Sequence, residues 1–187
     1  MRVIAGTARG TRLAAPSGML TRPTADRVRE ALFNIIHSRI GLEGAQVLDI
    51  CAGTGSLGIE ALSRGAASCC FIEDNRNALA TLRRNLSATH CADRAETMAV
   101  EVHKALRHLA ARRASFDMVF FDPPYGSGLY LTVPEALCTL SLVAPGGMLI
   151  AEGAARNIMP DKVGRLVKDD RRVYGDTVLE FYILEGE

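Results

Sequence analysis

A glycine-rich segment, residues 53–58 (Gly-Thr-Gly-Ser-Leu-Gly), has the spacing in this sequence that best suits ligand chemistry. The G-x-G-x-x-G pattern follows a short apolar run and precedes a helical one, a context in which glycines let a ligand approach the backbone closely. Two carboxylates strengthen this weak signal: Asp49 near the end of the preceding run, and Glu73 at the end of the next. Because a carboxylate at that second strand end can accept hydrogen bonds from both hydroxyls of an adenosine ribose, the segment predicts an adenosine-containing ligand.

The charge beside this loop distinguishes two such ligands. A nicotinamide dinucleotide uses the same glycines and acidic residue, but its pyrophosphate would rest on the helix N-terminus, where the charge of Asp49 opposes it. A ligand with an amino group and a sulfonium cation would instead be favoured by Asp49. S-adenosylmethionine meets both requirements and is the predicted cofactor. The remaining alternative is a tight strand-to-helix turn that binds no ligand.

A second segment, Asp122-Pro123-Pro124-Tyr125, follows the apolar run 117–121 and so lies at the carboxyl end of a predicted strand. Ligands of doubly wound sheets bind at that edge. Consecutive prolines hold the backbone extended, so the Asp122 carboxylate and a neighbouring carbonyl can both accept hydrogen bonds from one exocyclic amine. Those bonds direct the lone pair of the amine at an electrophilic methyl group, while Tyr125 offers a ring for a base to stack on. The alternative is a proline turn in which Asp122 caps a helix.

Alternating strand and helix patterns predict the scaffold that brings these segments together. Apolar runs suited to strands cover 46–50, 69–73, 97–101, 117–121 and 147–152, with helical patterns at 57–64, 76–88, 103–113 and 130–141. This alternation is typical of βαβ crossovers, hence of a parallel sheet with helices on both faces. Near the end, strands at 164–168 and 177–184, joined by a charged turn at 169–176, predict a closing hairpin. We therefore expect an α/β fold with a seven-stranded, mostly parallel sheet and an antiparallel closing strand.

Composition places limits on the class of protein. The 187 residues, 48% of them apolar, suffice for one domain without disulfides or a structural metal. No apolar run is long enough to span a membrane and the N-terminus does not resemble a signal peptide, so we expect a soluble, cytoplasmic protein. The five cysteines include no C-x-x-C pair and the four histidines lack ligand spacing, so neither a disulfide framework nor a metal site is predicted.

Positive charge is concentrated at the N-terminus. Residues 1–40 contain seven arginines and two acidic residues, whereas the rest of the chain is net acidic. Guanidinium groups donate paired hydrogen bonds to phosphate or to the edge of a guanine, so residues 1–40 are predicted to bind a polyanion. The alternative is that these arginines pair with the body of the protein. The arginines predicted to make such contacts are Arg9, Arg12, Arg22, Arg27 and Arg29.

The order of glycine loop, acidic strand end and Asp-Pro-Pro-Tyr resembles the class I S-adenosylmethionine-dependent amino-methyltransferases, which have a Rossmann-like fold. Residues 2–6 (RVIAG), 9–13 (RGTRL), 22–34 (RPTADRVREALFN) and 174–177 (YGDT) are similar to the RsmD family. Members of that family methylate N2 of one guanine in bacterial 16S ribosomal RNA. The resemblance implies the same reaction here, with a partly assembled small subunit as substrate. Residues 1–40 would then be an RNA-binding extension of a methyltransferase catalytic domain at 41–187, and we expect a monomer.

The resemblance also implies a set of site residues. The acceptor base would be held by Asp122, Pro123, Pro124 and Tyr125, and the cofactor by Asp49, Cys51, Ala52, Gly53, Gly55, Glu73 and Glu101. Glu101-Val102 departs from the family, where Asp or Asn followed by Ala commonly reads the adenine amine; Glu101 is expected to substitute with a longer reach. Three alternatives remain: a DNA or protein amine methyltransferase with the same site, a nicotinamide-dependent oxidoreductase, and a non-catalytic nucleic-acid-binding protein.

Overall fold

A computed structural model describes residues 1–15, 23–124, 127–156 and 159–186 of the chain. The helices are α1 (Pro23–Arg39), α2 (Ser56–Ser63), α3 (Arg76–Ala88), α4 (Val102–Ala111) and α5 (Leu129–Thr139). The strands are β1 (Gln46–Ile50), β2 (Ser68–Ile72), β3 (Ala95–Met98), β4 (Phe116–Phe121), β5 (Val143–Ala154), β6 (Lys162–Val163), β7 (Leu166–Tyr174) and β8 (Thr177–Leu184). Among the residues covered, no helix is both long and apolar enough to cross a bilayer.

The strands of the described segments form one sheet in the order β3-β2-β1-β4-β5-β8-β7-β6. Neighbours from β3 through β5 are parallel, whereas β8, β7 and β6 are added in antiparallel pairs. The strand order reverses between β1 and β4, so the carboxyl ends of these two strands flank a topological switch point. Ligands of open α/β sheets bind at such a point, and both predicted motifs follow these strands.

Helices cover both faces of the sheet. Along β1, Val47 packs into the core beneath α1, α2 and α3, and the next residue, Leu48, packs into the core beneath α4 and α5. Successive side chains of a strand point to opposite faces, so a doubly covered strand is apolar at nearly every position. The predicted mostly parallel sheet with helices on both faces is confirmed.

The N-terminal residues are docked against this core. An antiparallel bridge joins Arg2 to Arg12, and the neighbouring apolar side chains of Val3 and Leu13 are buried. Two successive backbone amides of this segment donate to the buried carboxylate of Glu60 on α2, at 2.7 and 3.0 Å. Residues 1–15 therefore pack against the rest of the described chain, while the division into an RNA-binding extension and a catalytic domain stays a prediction.

Three details of the sheet differ from the sequence-based expectation. The strand expected at 97–101 is β3 at Ala95–Met98, and the two-residue β6 brings the strands within the described ranges to eight. The stretch 169–176, expected as a turn, is strand through Tyr174, and Arg171 there pairs with Glu180 of β8. Pairing with β8 satisfies the backbone of this charged stretch, and its side chains lie at the surface, where charge does not oppose strand formation.

Candidate active site

A cleft of about 800 Å³ opens at the carboxyl edge of the sheet, over the ends of β1, β2, β4 and β5. It brings the two predicted motifs onto facing walls, as the switch-point topology requires. The glycine-loop wall comprises Cys51, Ala52, Gly53, Thr54 and Ser56; the β2 wall comprises Ile72, Glu73, Asp74, Asn75, Asn77 and Ala78; the remaining wall comprises Val102, Asp122, Pro123, Pro124, Leu129 and Glu152.

The glycine loop rises over the end of β1 through left-handed backbone. Positive φ angles occur at Cys51 (59°), Gly53 (56°) and Gly55 (78°). A Cβ on Gly55 would lie 2.1 Å from Leu82 Cδ1, whereas a Cβ on Gly53 would meet nothing within 4 Å. A side chain at Gly55 would therefore have to displace Leu82, whereas Gly53 leaves open space for a ligand beside the backbone.

Cys51 and Ala52 form the base of this loop. The half-buried thiol of Cys51 lines the cleft, and burial raises its pKa to about 12, which keeps it protonated and unsuited to act as a nucleophile. The Ala52 amide donates to the Ile72 carbonyl at 3.0 Å and thereby ties the loop to β2. Both residues shape the wall of the site through packing and backbone position.

The two glycines provide a matched test of this loop. Alanine at Gly55 must adopt a left-handed conformation and also displace Leu82, so we expect the free energy of unfolding to fall by about 2 to 4 kcal/mol. Alanine at Gly53 must only adopt the left-handed conformation, so we expect its free energy of unfolding to fall by about 1 to 2 kcal/mol. Chemical denaturation of both variants measures the difference, and equal losses would contradict the packing role of Gly55.

Asp49 lies beneath the glycine loop, behind the described residues that line the cleft. Its side chain is 2% exposed, and Oδ2 accepts a hydrogen bond from the Gly58 amide at 2.9 Å. Burial raises the pKa of Asp49 to about 8, against the opposing effect of that hydrogen bond, with smaller contributions from the charges of Asp122 and Glu73. Asp49 thus supports the start of α2, and its role toward a cofactor stays a prediction.

Glu73 joins the glycine loop to the end of β2 and lines the cleft. Its Oε2 accepts from the Gly53 amide at 2.7 Å, and its Oε1 accepts from the Asn75 amide at 2.8 Å. A carboxylate offers about four acceptor positions, so capacity for ribose hydroxyls remains after these two bonds. Glu73 therefore lines the cleft with acceptor positions to spare, and its contact with a ribose stays a prediction.

Glu101 has a different position from the one expected of an adenine-reading residue. It is exposed and caps the N-terminus of α4, accepting from the amides of His103 at 2.9 Å and Lys104 at 3.0 Å. The bond from His103, followed by the other cap contacts, lowers the pKa of Glu101. Val102 is the residue that lines the cleft here, so a cofactor contact by Glu101 stays a prediction.

Asp122 and the two prolines form the opposite wall. The Asp122 amide donates to the Ile50 carbonyl at 3.4 Å, which holds the end of β4 beside β1. The carboxylate opens onto the cleft, yet protein atoms surround it on the other sides, and the loss of solvation raises its pKa to about 6. Tyr125, the predicted stacking residue, lies outside the described residues.

Glu152 is a cleft residue that the sequence analysis missed. It lies on β5, beside β4, in a register that pairs Ala151 with Phe121, so Glu152 lies next to Asp122. Burial, and then the charge of Asp122, raise its pKa to about 8. A signal was available: the strand predicted at 147–152 ends on Glu152, and neighbouring parallel strands end at one edge of the sheet.

A second missed residue links the N-terminus to the glycine loop. Asn85, buried on α3, accepts from the Ala14 amide at 2.8 Å and donates to the Ala14 carbonyl at 3.1 Å. Its amide nitrogen also lies 3.0 Å from the Thr54 carbonyl oxygen and donates to it. One side chain therefore positions both the end of the N-terminal segment and the cleft wall.

The cleft is acidic. Four carboxylates, Glu73, Asp74, Asp122 and Glu152, line it, and its described lining contains no lysine or arginine. Within the same part of the chain, no group of three or more His, Cys, Asp or Glu side chains could hold a metal ion. This charge opposes a pyrophosphate and favours a cationic ligand.

The predicted RNA-binding arginines divide into two groups. Arg9, Arg12 and Arg27 are exposed, and Arg22 lies outside the described residues. Arg29 is 5% exposed: its Nη2 donates to the Arg2 carbonyl at 2.6 Å and pairs with Asp26 at 3.1 Å, and burial lowers its pKa. The expectation for Arg29 is therefore corrected, because its guanidinium is enclosed and holds the N-terminal segment to α1.

Similarity to known proteins agrees with this geometry. A family model described as "Conserved hypothetical protein 95" matches residues 1–183. The chain belongs to this family. "Ribosomal RNA small subunit methyltransferase D" of Escherichia coli strain K12 is 33% identical over 187 residues, which cover 100% of this chain and 91% of that protein. "Putative rRNA methyltransferase YlbH" of Bacillus subtilis strain 168 is 34% identical over 186 residues, with 100% of each chain covered.

A solved structure described as "Putative methyltransferase yhhF from Escherichia coli" has a TM-score of 0.85 and 33% identity. The match covers 100% of this chain and 99% of that one. The predicted membership of the RsmD family and the methyltransferase fold are both confirmed.

Proposed function

We propose that this chain transfers a methyl group from S-adenosylmethionine to the exocyclic N2 amine of a guanine in 16S ribosomal RNA of the small subunit. The observation that carries the proposal is one acidic cleft in which Glu73 faces the Asp122-Pro123-Pro124 segment across the sheet switch point. The names of the similar proteins, which act on ribosomal RNA, support the substrate class.

The residues of the cleft fit this cofactor. S-adenosylmethionine has a sulfonium and an ammonium cation. Both suit a cleft that is lined by four carboxylates and has no lysine or arginine among its described residues. Glu73 would accept the ribose hydroxyls, and the open backbone at Gly53 would lie along the ligand. Asp49 would support the loop from below through the hydrogen bond that it accepts from the Gly58 amide. When bound, the sulfonium supplies an electrophilic methyl group.

Asp122 and the neighbouring backbone would orient the acceptor. The carboxylate of Asp122 and the Pro123 carbonyl each accept one hydrogen of the N2 amine, which turns its lone pair toward the methyl group. Bond formation at nitrogen leaves N2 with one proton in excess. Asp122, with a pKa raised to about 6, is placed to accept that proton.

The exposed arginines among residues 1–40 would hold the RNA. The acidic cleft repels phosphate, so the residues that bind the RNA backbone must lie outside it. Arg9, Arg12 and Arg27 are exposed, whereas Arg29 is buried. A paired guanine cannot bring N2 to the methyl group, so the target is a nucleotide splayed out of a loop. We place this reaction on a partly assembled small subunit, in the cytoplasm.

Salt dependence tests this grip. If Arg9, Arg12 and Arg27 each neutralise one phosphate, each change to Ala flattens the slope of log affinity against log salt by about 0.7 to 0.9. Exposed Arg113 follows the end of α4, toward the opposite edge of the sheet, so Arg113→Ala serves as the matched control. Binding to small-subunit RNA across a salt series measures the slopes. If the triple variant keeps the wild-type slope, these three arginines do not contact RNA phosphates.

Transfer of tritium from labelled S-adenosylmethionine tests the proposed function. We expect label in RNA of small-subunit particles, and mass spectrometry of the digested RNA should identify N2-methylguanosine. Label in DNA or protein in place of RNA would contradict the proposed substrate and indicate a DNA or protein methyltransferase. Cofactor binding without transfer to any of the three would indicate a non-catalytic protein.

A further inference from the structure

A second carboxylate lies at the acceptor end of the cleft. The pairing of Phe121 with Ala151 places the following residues, Asp122 and Glu152, side by side on adjacent parallel strands. Both line the cleft together with Pro123 and Pro124, on the wall that lies across from Glu73. Glu152 is therefore next to the segment that would hold the acceptor amine, and two strands, β4 and β1, separate β5 from β2, which ends at the proposed ribose acceptor Glu73.

The position of Glu152 is set by Tyr130 of α5. The Tyr130 hydroxyl donates to the Glu152 carbonyl at 3.0 Å and lies 3.4 Å from the Pro123 carbonyl oxygen. Its ring packs edge-on against Phe121 with centroids 5.8 Å apart, and a Cβ at Gly153 would lie only 3.4 Å from that ring. One side chain thus fixes the ends of β4 and β5 relative to each other.

Two adjacent carboxylates repel each other, and a ligand that donates hydrogen bonds to both would stabilise them. The described lining of the cleft has no lysine or arginine to neutralise Asp122 and Glu152. Like charges held close together in a partly dry site raise one another's pKa, unless a ligand donates hydrogen bonds to both. The ligand that suits this wall presents two donors side by side.

Among the RNA bases, guanine presents such an edge: N1–H and the N2 amine are adjacent donors. Adenine and cytosine place an acceptor nitrogen beside their amines, and uracil has no exocyclic amine. An ionised carboxylate accepts hydrogen bonds and cannot donate, so it pairs with N1–H and is repelled by an unprotonated ring nitrogen. We propose that Glu152 selects the acceptor base by accepting a hydrogen bond from guanine N1–H while Asp122 and Pro123 hold the N2 amine.

This inference rests on the proposed function, and a base analogue tests it separately. 2-Aminopurine keeps the exocyclic amine but has no proton on N1. The methylated guanine, once located by mass spectrometry, is replaced with 2-aminopurine by ligating a synthetic fragment into small-subunit RNA. Values of kcat/KM are then compared for guanine and 2-aminopurine particles at pH 8.5, where Glu152, with a pKa of about 8, is mostly ionised.

Wild-type protein is expected to prefer guanine, and Glu152→Gln is expected to lower that preference by about tenfold or more. The Gln amide matches the shape of Glu and can turn its NH₂ toward the unprotonated N1. Glu152→Ala, the second variant, should also lose the preference while methylating guanine more slowly. Asp74→Asn removes the same charge from the β2 wall and should keep the wild-type preference. Comparing preferences cancels the intrinsic reactivity of the two bases.

The outcomes separate the two proposals. If wild-type protein methylates guanine particles and both Glu152 variants keep the wild-type preference, the role of Glu152 is overturned and the proposed function stands. An equal loss of preference in Asp74→Asn would also overturn it, because the effect would then follow the charge of the cleft. If wild-type protein methylates no guanine in RNA, both proposals fail.

Discussion

Replacing Asp122 with Ala is expected to slow methyl transfer by about 10²- to 10⁴-fold while largely sparing cofactor binding. The variant loses the carboxylate that we propose as an acceptor for the N2 amine and as the group that takes up its excess proton. Rates of a single turnover, with cofactor and RNA bound in advance, isolate this chemical step. Near-normal rates in a folded Asp122→Ala protein would contradict the role of Asp122.

The pH dependence of the same step follows from the environment of Asp122. Loss of solvation raises its pKa to about 6, so the carboxylate form needed to accept hydrogen bonds is lost as pH falls through about 6. We expect the wild-type rate to decline below that pH. Asp122→Asn should be slow throughout and lack this decline. Asp74→Asn, which changes a carboxylate on the β2 wall, should keep the wild-type profile.

Replacing Glu73 with Ala is expected to weaken binding of S-adenosylmethionine by about 1 to 3 kcal/mol, roughly 5- to 150-fold. The change removes the proposed acceptor for the ribose hydroxyls and leaves the amides of Gly53 and Asn75 without their carboxylate partner. The loop would then be less ordered before the ligand binds. Titration calorimetry measures the affinity, and thermal unfolding measured in parallel shows whether the fold is kept.

Glu73→Gln is the matched control for this change. The amide oxygen keeps one acceptor group of similar reach, so its affinity should lie between those of the wild-type and Glu73→Ala proteins. NADH is a second ligand for comparison, because its pyrophosphate meets the acidic wall. Unchanged affinity in folded Glu73→Ala, or tighter binding of NADH than of S-adenosylmethionine, would contradict the assignment of the cofactor site.

Features that depend on short stretches of sequence were determined by the sequence itself. The glycine spacing at 53–58 and the apolar runs that precede Glu73 and Asp122 indicated a parallel sheet with its site at the carboxyl edge. These signals are local, since a left-handed turn needs glycine and a doubly covered strand needs apolar residues on both faces. The structure placed Glu73 and Asp122 in one cleft, as that topology requires.

Tertiary structure decided the environment of each charged group. The sequence does not distinguish Arg29 from its exposed neighbour Arg27. In the structure, Arg29 is buried and its guanidinium donates a hydrogen bond to the Arg2 carbonyl. Asp49 lies beneath the loop because the start of α2 provides an amide for its carboxylate. Glu152 lies beside Asp122 through the pairing of β4 with β5, a contact between residues far apart in the chain. Burial and neighbouring charge arise from such long-range contacts, so they set pKa values and accessibility that no local pattern encodes.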